Sequence, residues 1–472
     1  MTGGTVGVMG RERFTPLDAA FLYLERPPMH MHVAALSVFD PSTRPDGRLP
    51  FDEVAAQLAS RIHLVPRLRQ RVRMIPGNLA LPVWVDDPRF DLELHVRRAA
   101  LPAPGGVREL ADLVGRVLST PLDRTRPLWE LWFIEGLAGG EVATLLKVHH
   151  AMIDGIAGVH LAAILWDLEP EPRPAPPPPP WRPEPEPSGL ELVAEAVREL
   201  AVHPVRALGE TLEHVRHQPA LAALSAGSVL SGVRSILGMG PRPASPLDVE
   251  IGPNRRFAMA EAPLERFKDV KRALGGTVND VVLAAVGGAL YRFLRSRREP
   301  TRGRVVRALV PVSVRAPGDR TLGNRVAPAL VDIPVGPMGA KRRLAEVRRR
   351  TEHLKSSMMA LSADAIISLG AYAPAGFLAA AARAASFGPW FNLVVSNIPG
   401  PPQPLYLAGA RLVASYPAMP LGRNAALSIA CTSLGGTMAF GITADRDAVP
   451  DVEVLAAGLR EAIDELAKAA GV

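Results

Sequence analysis

The sequence predicts a mixed α/β (α+β) protein built as two sandwich-like domains, and three observations carry that prediction. At 472 residues the chain exceeds what one hydrophobic core usually serves. Short, branched apolar runs that read as strands alternate with longer helical patterns in both halves. Between the halves the composition turns abruptly to Pro and Glu over 169–188, with an unbroken run from Pro176 to Pro180. Proline fixes φ and removes donors, so this stretch is expected to be an extended, solvated linker. The division that follows is a first domain over 1–168, the linker over 169–188, a helical crossover over 189–250 and a second domain over 251–472.

In the first domain, a short helix is expected around Leu17–Leu22 and a strand over His32–Phe39. Phe51–Ile62 has helical spacing, and the basic stretch Val65–Arg71 cannot all be buried unpaired. Leu81–Asp86 and Phe90–Val96 alternate as strands do, and Val107–Leu118 reads as a helix. Pro127–Ile134 leads through a turn at Gly136–Gly140 into the apolar run Val142–Val148, and the two are expected to pair as a hairpin. That pairing would bring Trp129 and Trp132 near the end of the second strand.

In the crossover, Leu190 to about Gly240 carries a helical pattern that suits a lid or a lipid-contacting piece. In the second domain, Leu264–Leu274 should be a helix closed by Gly275-Gly276. Thr277 then caps a helix from Val278, with Asp280 placed for a capping box. Strands are expected at Val305–Val314, Val326–Ile333, Phe391–Asn397, Arg411–Tyr416, Ala425–Thr432 and Thr437–Thr443, with helices over Lys341–Met358 and Val452–Ala470.

The chemistry is expected at His149-His150-Ala151-Met152-Ile153-Asp154-Gly155, where the run Val142–Val148 leaves the core and the small apolar stretch Ile156–Leu165 begins a helix. Asp154 would stand near that helix's N-terminus, where the dipole and free N–H groups favour an anion. Neighbouring residues on a strand face opposite ways. His149 and His150 should therefore have separate jobs, which disfavours a metal site made of His149, His150 and Asp154. A histidine whose ordinary pKa is about 6.5 suits a general base.

The spacing His149-His150-x-x-x-Asp154-Gly155 resembles the HHxxxDG motif of the CoA-dependent acyltransferase superfamily, which includes chloramphenicol acetyltransferase and peptide-synthetase condensation domains. Pro16-Leu17-Asp18-x-x-Phe21-Leu22, Met29-His30, Arg126-Pro127-Leu128-Trp129, Thr277-Val278-Asn279-Asp280 and Ser396-Asn397-Ile398-Pro399-Gly400-Pro401 narrow the likeness. Together they resemble bacterial wax ester synthase/diacylglycerol acyltransferases, from about residue 13 to 470.

The resemblance implies two chloramphenicol-acetyltransferase-like domains with a tunnel between them. It implies acyl-CoA as co-substrate with no permanently bound cofactor, and a diacylglycerol or a long-chain alcohol as acceptor. His150 is the implied base, His149 is structural, Asp154 is held by an arginine for which Arg67 and Arg69 are candidates, and Gly155 allows close backbone approach. Phe90-Asp91-x-x-x-His95-Val96 matches a family segment read as structural. For Asn279 and Asp280 the choice lies between helix capping and substrate contact, and for Trp129 between core packing and lining the acyl cavity.

Composition bounds the remaining classes. The net charge of +7 and pI near 9.9 suit an anionic cofactor or membrane face, while the dispersed arginines form no recognisable nucleic-acid module. Arg302, Arg304, Arg307 and Lys341–Arg343 could meet CoA phosphates, against a reading as solvated charge. The single Cys431 excludes an internal disulfide and has no histidine near it in sequence. No G-x-S-x-G elbow is present, so direct transfer without an acyl-enzyme is expected. Met1–Gly10 lacks the pattern of a secretory signal.

The uncharged run from Ala365 to Ala382 is interrupted by Gly370, Pro374 and Gly376. It reads as a buried hairpin or kinked helix, against a surface that dips into lipid or lines the tunnel. A cytoplasmic enzyme resting on the inner membrane face or on lipid inclusions is expected. Condensation-type acyl transfer and non-catalytic binding to lipid surfaces are the alternatives.

Overall fold

The computed structural model describes residues 12–153, 155–198, 242–313, 326–359, 376, 379–380, 390–401 and 403–472. Two six-stranded sheets form its frame. The first has the order β11 (Tyr406–Leu407), β12 (Ala410–Ala418), β1 (His32–Asp40), β6 (Val142–His149), β5 (Trp129–Glu135), β4 (Val96–Ala100). All its pairs are antiparallel except β4 with β5. The expected hairpin is β5–β6, with Trp129 opposite Val148.

The second sheet has the order β7 (Arg255–Pro263), β14 (Thr437–Asp445), β13 (Leu427–Leu434), β10 (Leu393–Ile398), β8 (Val305–Ser313), β9 (Val326–Pro334). In it β10 runs parallel to both neighbours. Its buried strands and the helices Leu264–Leu274, Val278–Ser296, Ala340–Met359 and Val452–Ala470 share one core. The long apolar helix of that set, with Val281–Val286 essentially unexposed, belongs to this core. No single helix among the described residues is long and apolar enough to cross a membrane.

Alternation along the first sheet sorts its residues into two layers. Ala34, Leu36 and Leu145 pack with Val114, Val117 and Leu118 of α3 (Val107–Ser119). On the other face, Trp129, Leu131, Phe133 and Val148 pack with Leu58 and Ile62 at the end of α2 (Phe51–Arg61) and with Leu161 and Leu165 of α4 (Gly155–Leu165). Full burial of each such side chain contributes on the order of 2 kcal/mol.

The described residues correct two expectations. First, residues 251–472 do not stay together, because β12 lies against β1 through Ala34–Ala418 to Asp40–Arg411 and completes the first sheet. Two approaches leave no room for a side chain at this join. A Cβ on Gly441 would sit 2.0 Å from the Pro417 carbonyl oxygen, and one on Gly115 2.8 Å from that of Arg255.

Second, Phe90–Val96 is not a strand. Asp91 accepts the Glu93 N–H and turns the chain into a short 3-10 helix, Leu92–Leu94, and β4 begins only at Val96. Leu94, inside that turn, is 42% exposed.

The proline-rich linker is extended and largely exposed, as expected, and is strapped to the first domain. Arg61 donates to the Arg173 carbonyl, the Glu184 N–H donates to Asp86, Arg71 pairs with Glu186, and the Arg69 guanidinium lies over Trp181. Residues 189–198 continue as helix, with Leu192 and Ala196 packed against Val83 and Val85 of β3 (Val83–Asp86). The rest of the expected crossover, 199–241, and most of the apolar run 365–382 lie outside the described residues.

Candidate active site

The site is built where β6 ends. His149 is its last residue and faces His32 of β1 across the ladder. Beyond it the chain turns sharply, with the His150 N–H donating to the Met31 carbonyl (2.7 Å) and the Met152 N–H to that of His149 (2.9 Å). α4 then starts at Gly155, as expected; Asp154 lies outside the described residues.

The two rings have different surroundings, as the alternation predicted. His150 leaves the strand on the face shared with Leu146 and Val148 and stacks on Phe21 of α1 (Pro16–Leu24), the ring centroids 4.0 Å apart and the planes 7° from parallel. α1 is set by local chemistry: Thr15 caps it by accepting the Asp18 N–H, and Pro16 occupies its first turn.

His149 is fully buried, with Nδ1 hydrogen-bonded and Nε2 facing a carboxylate. Its Nδ1 accepts the Ala151 N–H (3.1 Å), which puts the proton on Nε2, 3.4 Å from a Glu25 carboxylate oxygen. Burial lowers its pKa, opposed by Glu25 and aided by Arg124, so the ring is neutral near pH 7. Burial also raises the Glu25 pKa, but the contact with the neutral His149 Nε2–H and the charge of Arg124 outweigh it and hold the carboxyl well below its usual range.

Three charged residues here were not found from sequence. Glu25, one residue past α1, accepts the Met31 N–H (3.1 Å) and Arg124 Nε (2.9 Å), while Arg124 also donates to the Leu22 carbonyl. Lys147 lies fully buried on the His149 side of the sheet, donating to the Val117 and Thr120 carbonyls (3.2 Å each) and pairing with Glu130 (3.3 Å). Its signal was present in the sequence as the one charge inside the apolar run Val142–Val148. Glu25 and Arg124 had no such signal, being 99 positions apart.

Of the other expected residues, Trp129 is both core and wall. Its Nε1–H donates to the Leu68 carbonyl (2.8 Å), and it lines a narrow apolar cleft with Leu131, Leu146, Leu161, Leu165 and Trp166. His95 donates Nδ1–H to the Trp129 carbonyl (2.8 Å) and stacks between Phe90 and Trp129, which supplies a packing reason for that segment.

Asp280 is spent on the capping box with Thr277 and on the Thr351 hydroxyl (2.7 Å), and Asn279 shares that first turn; these contacts all lie in the second half of the chain. Arg67 pairs with Glu12 (2.5 Å) and lies over Trp84. Among the cations considered for CoA phosphates, Arg307 pairs with Asp332 (2.7 Å) and Arg343 is buried, whereas Arg302, Lys341 and Arg342 are exposed. Gly400, in the Ser396–Pro401 string, lies so close to the Ser433 carbonyl that no Cβ fits.

Comparison with known proteins identifies the family. Residues 14–282 match the wax ester synthase/diacylglycerol acyltransferase catalytic domain and residues 322–467 the C-terminal domain of the same family. Two proteins of Mycobacterium tuberculosis, provisionally named diacylglycerol O-acyltransferases, are 34% and 35% identical to the chain. They cover 98% and 97% of it, and 91% and 98% of their own lengths are matched.

A solved wax ester synthase/diacylglycerol acyltransferase from Marinobacter aquaeolei superposes with a TM-score of 0.66 at 28% identity, covering 98% of this chain and 100% of that one. A starter condensation domain of rhizomide synthetase, solved with C8-CoA, shares the fold at a TM-score of 0.59 and 14% identity, over 98% of this chain and 95% of that one. With both family domains matched in order over most of its length, the chain belongs to the wax ester synthase/diacylglycerol acyltransferase family of acyl-CoA-dependent O-acyltransferases.

Proposed function

We propose that this acyltransferase moves a long acyl group from acyl-CoA to the hydroxyl of a diacylglycerol or a long-chain alcohol, in one step and with His150 as general base. His150 takes the hydroxyl proton as the oxygen attacks the thioester carbonyl. The C–O bond forms, the C–S bond breaks, and the proton passes to the departing CoA sulfur. Acid–base help of this kind is worth about 10²–10⁴ in rate.

The observation that carries the reading is the division of labour at the turn. His149 is turned into the protein, its Nδ1 accepting the Ala151 N–H and its Nε2 3.4 Å from Glu25, and His150 lies flat on Phe21 on the face that also holds the apolar cleft. A covalent alternative through Cys431 is disfavoured, since burial pushes that thiol's pKa up and so opposes thiolate formation. The acyl tail would extend from His150 along the apolar face, in the tunnel expected between the halves. Binding at the cytoplasmic membrane face or on lipid inclusions, where both substrates partition, belongs to the same proposal.

Thiol release from palmitoyl-CoA with hexadecanol or diolein tests it. Wild type should release CoA with either or both acceptors, and His150→Ala should lose at least about 100-fold while keeping its fold. Near-normal transfer by His150→Ala would remove the assignment. Turnover with amine acceptors alone would favour the condensation-type reading, and no turnover with any acceptor the lipid-binding one. Recovery with liposomes containing anionic lipid tests the location.

A further inference from the structure

The helix that stacks on His150 also holds His149. Phe21 and Glu25 are one helical turn apart, the Glu25 N–H donating to the Phe21 carbonyl (3.2 Å). Phe21 meets the His150 ring and Glu25 faces the Nε2 of His149. Glu25 is in turn gripped from outside by Arg124 through Nε and Nη2, and from inside by the Met31 N–H. Met31 is also the residue whose carbonyl receives the His150 N–H. The carboxylate therefore touches the first ring directly and the second residue's backbone through a single intermediate.

We propose that Glu25, clamped by Arg124, is a positioning residue for acyl transfer: it fixes the tautomer and seat of His149 and thereby the direction in which His150 leaves the strand. The reason is geometric. His149 Nδ1 can accept the Ala151 N–H only while the ring's proton sits on Nε2, and that proton lies deep in the protein with a Glu25 carboxylate oxygen 3.4 Å from the nitrogen. Without the carboxylate, the alternative tautomer would place an Nδ1–H against the Ala151 N–H. The 149–152 turn would then lose the bond that sets its pitch.

A shift of about 1 Å in a reacting group can cost on the order of 100-fold in rate. Substrate binding, which needs no proton transfer, would be little affected. Asp154, the expected anchor of this turn, lies outside the described residues; within them Glu25 is the charged group against His149.

This inference rests on His150 being the base, so the His150→Ala assay is run first and separately. Glu25→Gln keeps the size and an acceptor but removes the charge. It is expected to lower kcat by roughly 10–100-fold with KM for palmitoyl-CoA within about 2-fold, and Glu25→Asp to recover part of the loss. The decisive readout is the pair with His149. Glu25→Gln added to His149→Asn should cost no more than His149→Asn alone, because the amide oxygen can still accept the Met31 N–H and the proposed loss runs through His149. Arg124, partly exposed, offers a variant that keeps the fold: Arg124→Ala should lower kcat in the same direction, and it decides the question alone if Glu25→Gln does not fold.

If both variants fold and keep kcat within 2-fold of wild type, or if the Glu25 and His149 effects add in full, the positioning role is wrong. That holds even where His150→Ala is inactive. If His150→Ala is active, it is the general-base reading that fails.

Discussion

Replacing Arg61 by Met should destabilise the first domain far more than replacing Arg61 and Asp167 together. Both side chains are almost wholly buried and their ion pair is 2.5 Å long. Arg61 also donates to the Leu165 carbonyl (2.9 Å) and the Arg173 carbonyl (2.8 Å), tying the C-terminal end of α4 to α2 and to the start of the proline-rich strap. In Arg61→Met, Asp167 keeps the Gln57 amide (3.1 Å) and the Arg173 N–H (2.9 Å) but loses its cation.

A buried charge left in this way costs about 3–5 kcal/mol. In Arg61→Met with Asp167→Asn no charge is stranded, and the cost should fall to about 1–2 kcal/mol, the weight of one or two lost hydrogen bonds. Urea unfolding followed by tryptophan emission reads both, with Trp166 adjacent to Asp167 as a local reporter. The reasoning fails if the single variant costs less than about 1 kcal/mol, or if the double variant costs as much as the sum of the singles.

Other expectations are independent of that pair. Gly441→Ala should abolish soluble expression or cost several kcal/mol, since its Cβ would collide with the Pro417 backbone; Gly339→Ala, with open space around it and no positive φ, serves as the control and should cost about 1 kcal/mol or less. Burial lowers the pKa of His30, His32, His95 and His149, so below about pH 6.5 the unfolded chain takes up protons that the folded chain resists. Stability is therefore full above that pH and falls as pH drops, by up to about 1.4 kcal/mol per pH unit for each histidine, and urea midpoints between pH 7.5 and 5.5 should show it. A flat profile would contradict the burial argument. Ala162→Phe, which fills the apolar cleft, should lower kcat/KM for palmitoyl-CoA more than for butyryl-CoA if the acyl tail uses that face; equal losses would separate the cleft from the substrate path.

What could be read from the chain alone was whatever local chemistry decides. The Thr277–Asp280 capping box and the Gly275 stop lie within a few residues of what they control, and both are present as expected. The opposed environments of His149 and His150 follow from strand alternation alone. The misreading of Phe90–Val96 came from trusting alternation over a competing local bond, the Asp91 turn.

Long-range partners were illegible for a different reason. Nothing near Glu25 announces Arg124, and nothing near β1 announces β12, because those pairings are set by how whole layers meet. Lys147 lies between these cases: a cation in a buried run demands partners, yet their identity, Glu130 and two α3-end carbonyls, needs the fold.

The strand exchange at β12 bears on how the molecule is made. A chain emerging from the ribosome has β1 paired with β6 long before residues 410–418 exist, so one flank of its first sheet stays bare through most of synthesis. An open flank of that kind invites pairing with neighbouring nascent chains. Stopping translation ahead of residue 410 should therefore yield a sticky fragment that leans on chaperones, and sealing that flank is a job left to the last tenth or so of the polypeptide.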